Sequence, residues 1–167
     1  VSAAIEAAKV EAARGKQLTL GYWSKSREAP AQIVAQYMAG VDAIAAAGLT
    51  SSISIKVDTV EFQRPLLLPL FERARACGVR LHFDSQAWGS ASRTFALLDE
   101  AREMGAPVSA SITARWRRSI EDVERMITLG VPVRIVKGQS GDPDDRSIDP
   151  RHAFLDIVRL CAGRAAH

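Results

Sequence analysis

VPVRIVKGQSG, residues 131–141, is an apolar strand with one arginine set in its middle, running into a lysine, a glycine and a flexible turn. Side chains alternate across a strand, so Val131, Val133 and Ile135 share one face and Pro132, Arg134, Val136 and Gly138 the other. An unpaired charge in an apolar interior costs several kcal/mol, and the Arg134 face must therefore look at polar surroundings. Two earlier stretches repeat the device. Around SIKVD, Ile53, Ile55 and Val57 oppose Ser54, Lys56 and Asp58; in RLHFD, Leu81 and Phe83 oppose His82 and Asp84. The strands build a sheet with one greasy face and one polar face.

Outward from that fifth strand, helical and strand periods alternate. A helix from Ser119 to Leu129 precedes it, with a capping pattern of Ser119 and Asp122 and with Gly130 behind it. Before that come PVSASITARW as the fourth strand, a helix from Ser92 to Met104 carrying Phe95, Leu97, Leu98 and Ala101, and VRLHFD as the third strand. Phe62 to Cys77 is helical, with Pro65 suited to a first turn and Pro69 demanding a kink or a late start. SISIKVD is the second strand, Pro30 to Ala47 a helix striped by Ile33, Val34, Tyr37, Met38, Val41 and Ile44, and LTLGYW the first strand. Val1 to Arg14 reads as an alanine-rich helix ended by Gly15. On the far side, Asp149 is the expected cap and Pro150 the first residue of a last helix bearing Phe154, Leu155, Val158 and Leu160.

Strands alternating with helices argue for parallel βα units throughout. A doubly wound sheet wants strands that are apolar on both faces, whereas one face here carries Thr19, Ser54, Lys56, Asp58, His82, Asp84, Ser109, Ser111, Thr113 and Arg134. The expectation is α/β architecture of TIM-barrel type, an incomplete barrel with helices outside and a ligand near the carboxyl ends of the strands. An open sheet with its polar face in water is the competing architecture. Residues 1–167 are expected to form a single domain of this kind.

With 47% apolar and 25% charged residues over 167 positions, the chain has the usage of one globular core. Its formal charge of +3 is small and evenly spread, which argues against a nucleic-acid or anionic-membrane surface although the pI is near 9.1. Cys77 and Cys161 lie far apart, each beside an alanine in a helical pattern, and read as reduced, packed cysteines. No metal-ligand spacing is present. The apolar runs fall short of the ~20 residues of a membrane span and no signal-peptide pattern opens the chain, so a cytoplasmic protein without an integral membrane segment is expected.

SIKVD, HFDSQ, SITARWRRS followed by EDVERMITLG, and VRIVKGQ resemble the second to fifth barrel strands of the proline dehydrogenase family, in order and at similar spacing. LTLGYWSKSREAP resembles the family's first strand and following loop, and the likeness runs over about residues 1–160. The resemblance implies a (βα)8 barrel that holds FAD at the carboxyl ends of its strands, takes a hydride from the carbon beside the nitrogen of proline or a related cyclic amine, and passes electrons to a quinone. Residue by residue, it implies that Lys56 lies near substrate and flavin, that Asp84 pairs with Lys56, and that Arg134 hydrogen-bonds the flavin. Lys137 and Gly138 would shape the loop beside the cofactor. Thr113 would occupy the cofactor-side position of the fourth strand.

The chain also departs from the family. Gln86 stands where an acid is usual, Thr113 where a flavin-binding glutamine is usual, and Gln139 and Ser140 where a tyrosine follows the Lys-Gly element. Family units six to eight, with the tyrosine and paired arginines that grip the proline carboxylate, have no counterpart motif. Read without the family, Lys56, Asp84 and Arg134 form either a ligand site of charge-assisted hydrogen bonds or a structural ion network. His82 reads as a satisfied lumen histidine, and Trp23, Trp88 and Trp116 as aromatics that either wall a planar ligand or pack. The acidic loop of Asp142, Asp144, Asp145 and Asp149 and the run from Arg115 to Arg118 read as solvated loops. Lys137 and Gly138 before Gly141 carry only part of a phosphate-loop pattern. Two functions follow: a flavin-dependent oxidoreductase of proline dehydrogenase type, or a non-catalytic binding or assembly module on the same units. LTLGYW and VRIVKGQ are expected to be open sheet edges, which predicts a homo-oligomer.

Overall fold

In the computed structural model, residues 1–84 and 87–164 are described, and Gln86 lies outside them. Helix α1 spans Ser2–Ala12, strand β1 Leu18–Gly21, α2 Pro30–Ala46, β2 Ser51–Ile55, α3 Arg64–Cys77 and β3 Arg80–Phe83. A short 3-10 turn at Trp88–Ser90 leads into α4, Ala91–Glu103, followed by β4 Val108–Thr113, α5 Ser119–Thr128, β5 Val133–Val136 and α6 Pro150–Cys161.

Local chemistry sets these boundaries. Pro30 opens α2 and Gly48, at φ 62, turns the chain after it. Asp149 caps α6 as expected, its carboxylate accepting the N–H groups of Arg151 at 2.7 Å and His152 at 3.0 Å. Pro65 lies in the first turn of α3 as expected, but the helix does not wait for Pro69: Glu61 and Phe62 take positive φ values of 55 and 56 in a turn, and the helix begins at Arg64 and runs through Pro69. Ser119 departs from expectation. It is the first residue of α5 and makes no cap; its hydroxyl donates to the Thr113 carbonyl and ties the start of α5 to the end of β4.

The sheet order is β1-β2-β3-β4-β5, all parallel. Right-handed crossovers taken in sequential order place every connecting helix on the same face, so the doubly wound alternative is excluded and the sheet curls into a half-barrel. Ile53, Ile55, Leu81, Phe83, Ala110 and Ile112 point to the helices and are buried there with Tyr37, Ile44, Leu67, Leu70, Phe71 and Leu98. Helix α2 lies close on β2, where a Cβ on Gly40 would stand 2.7 Å from Ile53 Cδ1. The opposite face is concave and polar. Among the described residues β1 pairs only with β2 and β5 only with β4, so both outer strands are open edges. No described helix is long and apolar enough to cross a membrane.

Candidate functional site

Strand register fixes which polar side chains share a row on the concave face. Gly21, Ser54, His82 and Ser109 stand side by side from β1 to β4. The next row follows from the pairs Ile55 with Phe83, Phe83 with Ala110, and Ser111 with Arg134, and it runs Lys56, Asp84, Ser111, Arg134. The Asp84 amide donates to the Ile55 carbonyl at 3.0 Å, which carries the β2–β3 ladder on to this second row. The row slants across the sheet, from Lys56 and Asp84 just past the carboxyl ends of β2 and β3 to Ser111 within β4 and Arg134 near the start of β5, and gathers three of the residues expected from the sequence.

Arg134 is the hub of the row. Its Nε and Nη2 donate to Ser111 Oγ at 3.2 and 2.9 Å, and Nη2 lies 3.4 Å from Asp84 Oδ1. The arginine side chain keeps 45% of its surface exposed, against 23% for Asp84. Behind Ser111 sits His82, whose Nε2 is 2.9 Å from Ser111 Oγ and whose Nδ1 is 2.9 Å from Ser109 Oγ. Burial and the neighbouring Arg134 push the imidazole down to about 4, so it is neutral at ordinary pH. The expectation of a satisfied lumen histidine holds, and its partners are both serines.

Lys56 is buried, its Nζ 4.3 Å from the centre of the Trp23 ring, and its backbone N–H donates to Tyr37 Oη at 3.1 Å. The expected Lys56–Asp84 ion pair is replaced: the carboxylate turns to Arg134 and the ammonium lies over the indole. The two remain row neighbours, but the long arginine reaches across Ser111 to take the acid. Burial pushes the Asp58 carboxyl up, against the lowering pull of the Thr59 amide and of Lys56. Trp23 itself is exposed, as a ring that covers a cation rather than a packed aromatic.

The remaining expected residues fall into two groups. Thr113 is buried at the end of β4 against Gly138, and a Cβ on Gly138 would stand 2.1 Å from Thr113 Cγ2. This glycine therefore brings the β5 loop onto the fourth strand, on the Arg134 side of the sheet. Lys137 is exposed, and alternation assigns it to the Val133 and Ile135 side, away from the row. Sequence patterning also missed the contact between two loops. Trp116 is buried and its indole donates to the Ser140 carbonyl at 3.2 Å; Arg115 donates to the Gln139 carbonyl at 3.1 Å. Asp142 is buried and accepts the amides of Arg117 and Asp144, each at 2.9 Å, which holds its carboxyl below the ordinary range. The two runs read as solvated loops instead clasp each other beside the carboxyl ends of β4 and β5.

A concavity of about 390 Å³ opens at the other end of the face, with Thr19, Ser52, Arg80, His82, Ser109 and Arg134 among its walls. Lys56 and Asp84 do not line it. Arg134 lines this concavity and also reaches the Lys56–Asp84 end of the row, so a half-exposed guanidinium, a buried lysine and the Asp84 carboxylate share one stretch of the concave face.

Such a donor set suits an anionic or electron-rich planar group. Arg134 offers N–H donors to solvent while Ser111 holds its base, Lys56 adds a second cation, and Gly138 lets the loop backbone approach. These features fit a flavin.

No protein-family model and no curated protein matches the chain. Among solved structures, it is similar in fold to proline utilization A from Bdellovibrio bacteriovorus, a protein whose structure was determined after inactivation by N-propargylglycine. The TM-score is 0.63 at 20% sequence identity, over 81% of this chain. The chain spans 19% of the length of that protein.

Proposed function

We propose that the chain carries the flavin side of an oxidoreductase of proline dehydrogenase type, in which FAD accepts a hydride from proline or a related cyclic amine. The observation that supports this most is the Lys56–Asp84–Ser111–Arg134 row across the concave face of β2 to β5, on a fold shared with a proline-utilization protein. FAD, when bound, would supply the hydride acceptor. Arg134 would hold the electron-rich ring edge by charge-assisted hydrogen bonds, Asp84 would keep the guanidinium turned along the row, and Lys56 would sit beside the reacting pair under Trp23. Gly138 and Thr113 would set how closely the β5 loop approaches. A quinone acceptor, a cytoplasmic setting and a single domain over residues 1–167 belong to the same reading.

Removing one charge-assisted hydrogen bond costs roughly 1.5 to 3 kcal/mol, a ten- to hundredfold change in affinity. Titration with FAD, followed by quenching of flavin fluorescence, should show that loss for Arg134→Ala and none for Arg146→Ala, an exposed arginine outside the row. Equal affinities for the two variants would remove Arg134 from the site.

The open edges at β1 and β5 support a second part of the reading, a homo-oligomer that covers them. Light scattering at micromolar concentration should report a mass at least double 18.1 kDa. A folded monomer that persists at that concentration would exclude it. The alternative, a non-catalytic binding or assembly module on the same units, predicts instead a colourless protein that ignores added FAD.

A further inference from the structure

We infer that Ser111 and His82 are positioning residues which aim the Arg134 guanidinium, through a hydrogen-bond chain that runs in one direction from Arg134 to Ser109. The affinity arm of its test rests on the flavin reading above; the geometric arm does not.

Donor and acceptor counting carries the direction. A guanidinium has only donors, so the contacts from Arg134 Nε and Nη2, at 3.2 and 2.9 Å, occupy the lone pairs of Ser111 Oγ. The Ser111 hydroxyl hydrogen must then leave toward another acceptor, and His82 Nε2 stands 2.9 Å away. That nitrogen is therefore the bare one. The ring proton sits on Nδ1 and is donated to Ser109 Oγ at 2.9 Å. The opposite tautomer would aim three donors at one hydroxyl oxygen. Ser111, His82 and Ser109 are 2%, 4% and 6% exposed, so water cannot readily replace any link. A buried imidazole that stays neutral keeps Nε2 available as an acceptor. The consequence falls on Arg134, the one exposed member: two of its N–H groups are tied to a fixed oxygen, which sets the plane in which its other donors face the row.

The test reads the arginine directly. In 15N-labelled protein, exchange of the Arg134 Nε–H with water should quicken by roughly tenfold in Ser111→Ala and in His82→Leu. FAD binding should weaken roughly three- to tenfold in both. His82→Gln should restore wild-type behaviour in both measurements, because a carboxamide can accept from Ser111 and donate to Ser109; a merely structural role would not require that rescue. Unchanged Arg134 exchange in Ser111→Ala, or a glutamine as damaging as leucine, overturns the inference. Should His82→Leu fail to fold, Ser111→Ala, which removes a single oxygen, decides the matter alone. Should Arg134 respond as expected while wild type and variants all ignore FAD, the positioning chain stands and the flavin reading falls.

Discussion

Gly138→Ala is expected to lower the unfolding free energy by roughly 2 to 5 kcal/mol. Two independent effects add. Gly138 sits at φ 81, in the left-handed region where a Cβ costs about 1 to 2 kcal/mol. The new methyl would also stand 2.1 Å from Thr113 Cγ2, and forced overpacking typically costs about 1 to 3 kcal/mol. Thr113 cannot easily move aside, because it is buried and its carbonyl holds the Ser119 hydroxyl that anchors α5. Urea denaturation of the single variant, and of the pair with Thr113→Ser, separates the parts: losing Cγ2 should return the steric share and leave the backbone share. A Gly138→Ala loss below about 1 kcal/mol would mean that the β5 loop does not press on β4.

Acidification should remove about 3 kcal/mol of stability through His82 alone. Its imidazole falls from an ordinary value of 6.5 to about 4 because burial, and then Arg134, disfavour the charged form. An unfolded chain takes up that proton near 6.5, whereas the folded one does not until about 4. Between these values the unfolded state binds more protons, so stability rises with pH across the window and is lost as pH falls through it, at about 1.4 kcal/mol per unit. Asp58, raised by burial, opposes this just above the ordinary carboxyl range, since there the folded state is the one that binds the proton. Asp142, Asp145 and Asp149, all lowered, lose their contribution only below that range. His82→Gln should therefore flatten the urea midpoint between pH 6.5 and 4. Parallel pH profiles for wild type and variant would contradict the buried, neutral imidazole.

Much of the architecture was legible because it is written in period. The alternation that set Ile53, Ile55 and Val57 against Ser54, Lys56 and Asp58 predicted one apolar and one polar face, and the structure has them. The site was legible by face and not by partner. Lys56, Asp84 and Arg134 do share a row, but which cation takes the acid depends on side-chain length across three strands, and spacing does not encode it. Ser109 and Ser111 were visible as polar strand positions. Their bond to His82 depends on the stagger between β3 and β4, which a single strand's sequence leaves open. The run from Arg115 to Arg118 and the acidic loop looked solvated by composition. Trp116 and Asp142 bury themselves because each finds its partners some 24 or 25 residues away, in the other loop.

Anaerobic mixing of the FAD-loaded protein with proline tests the proposed chemistry most directly. The yellow flavin absorbance band should disappear as the flavin takes up the hydride, and Arg134→Ala, compared at equal flavin occupancy, should slow that loss. A band that persists unchanged under saturating proline, with FAD demonstrably bound, would contradict an oxidoreductase and leave the row as a flavin-binding surface alone.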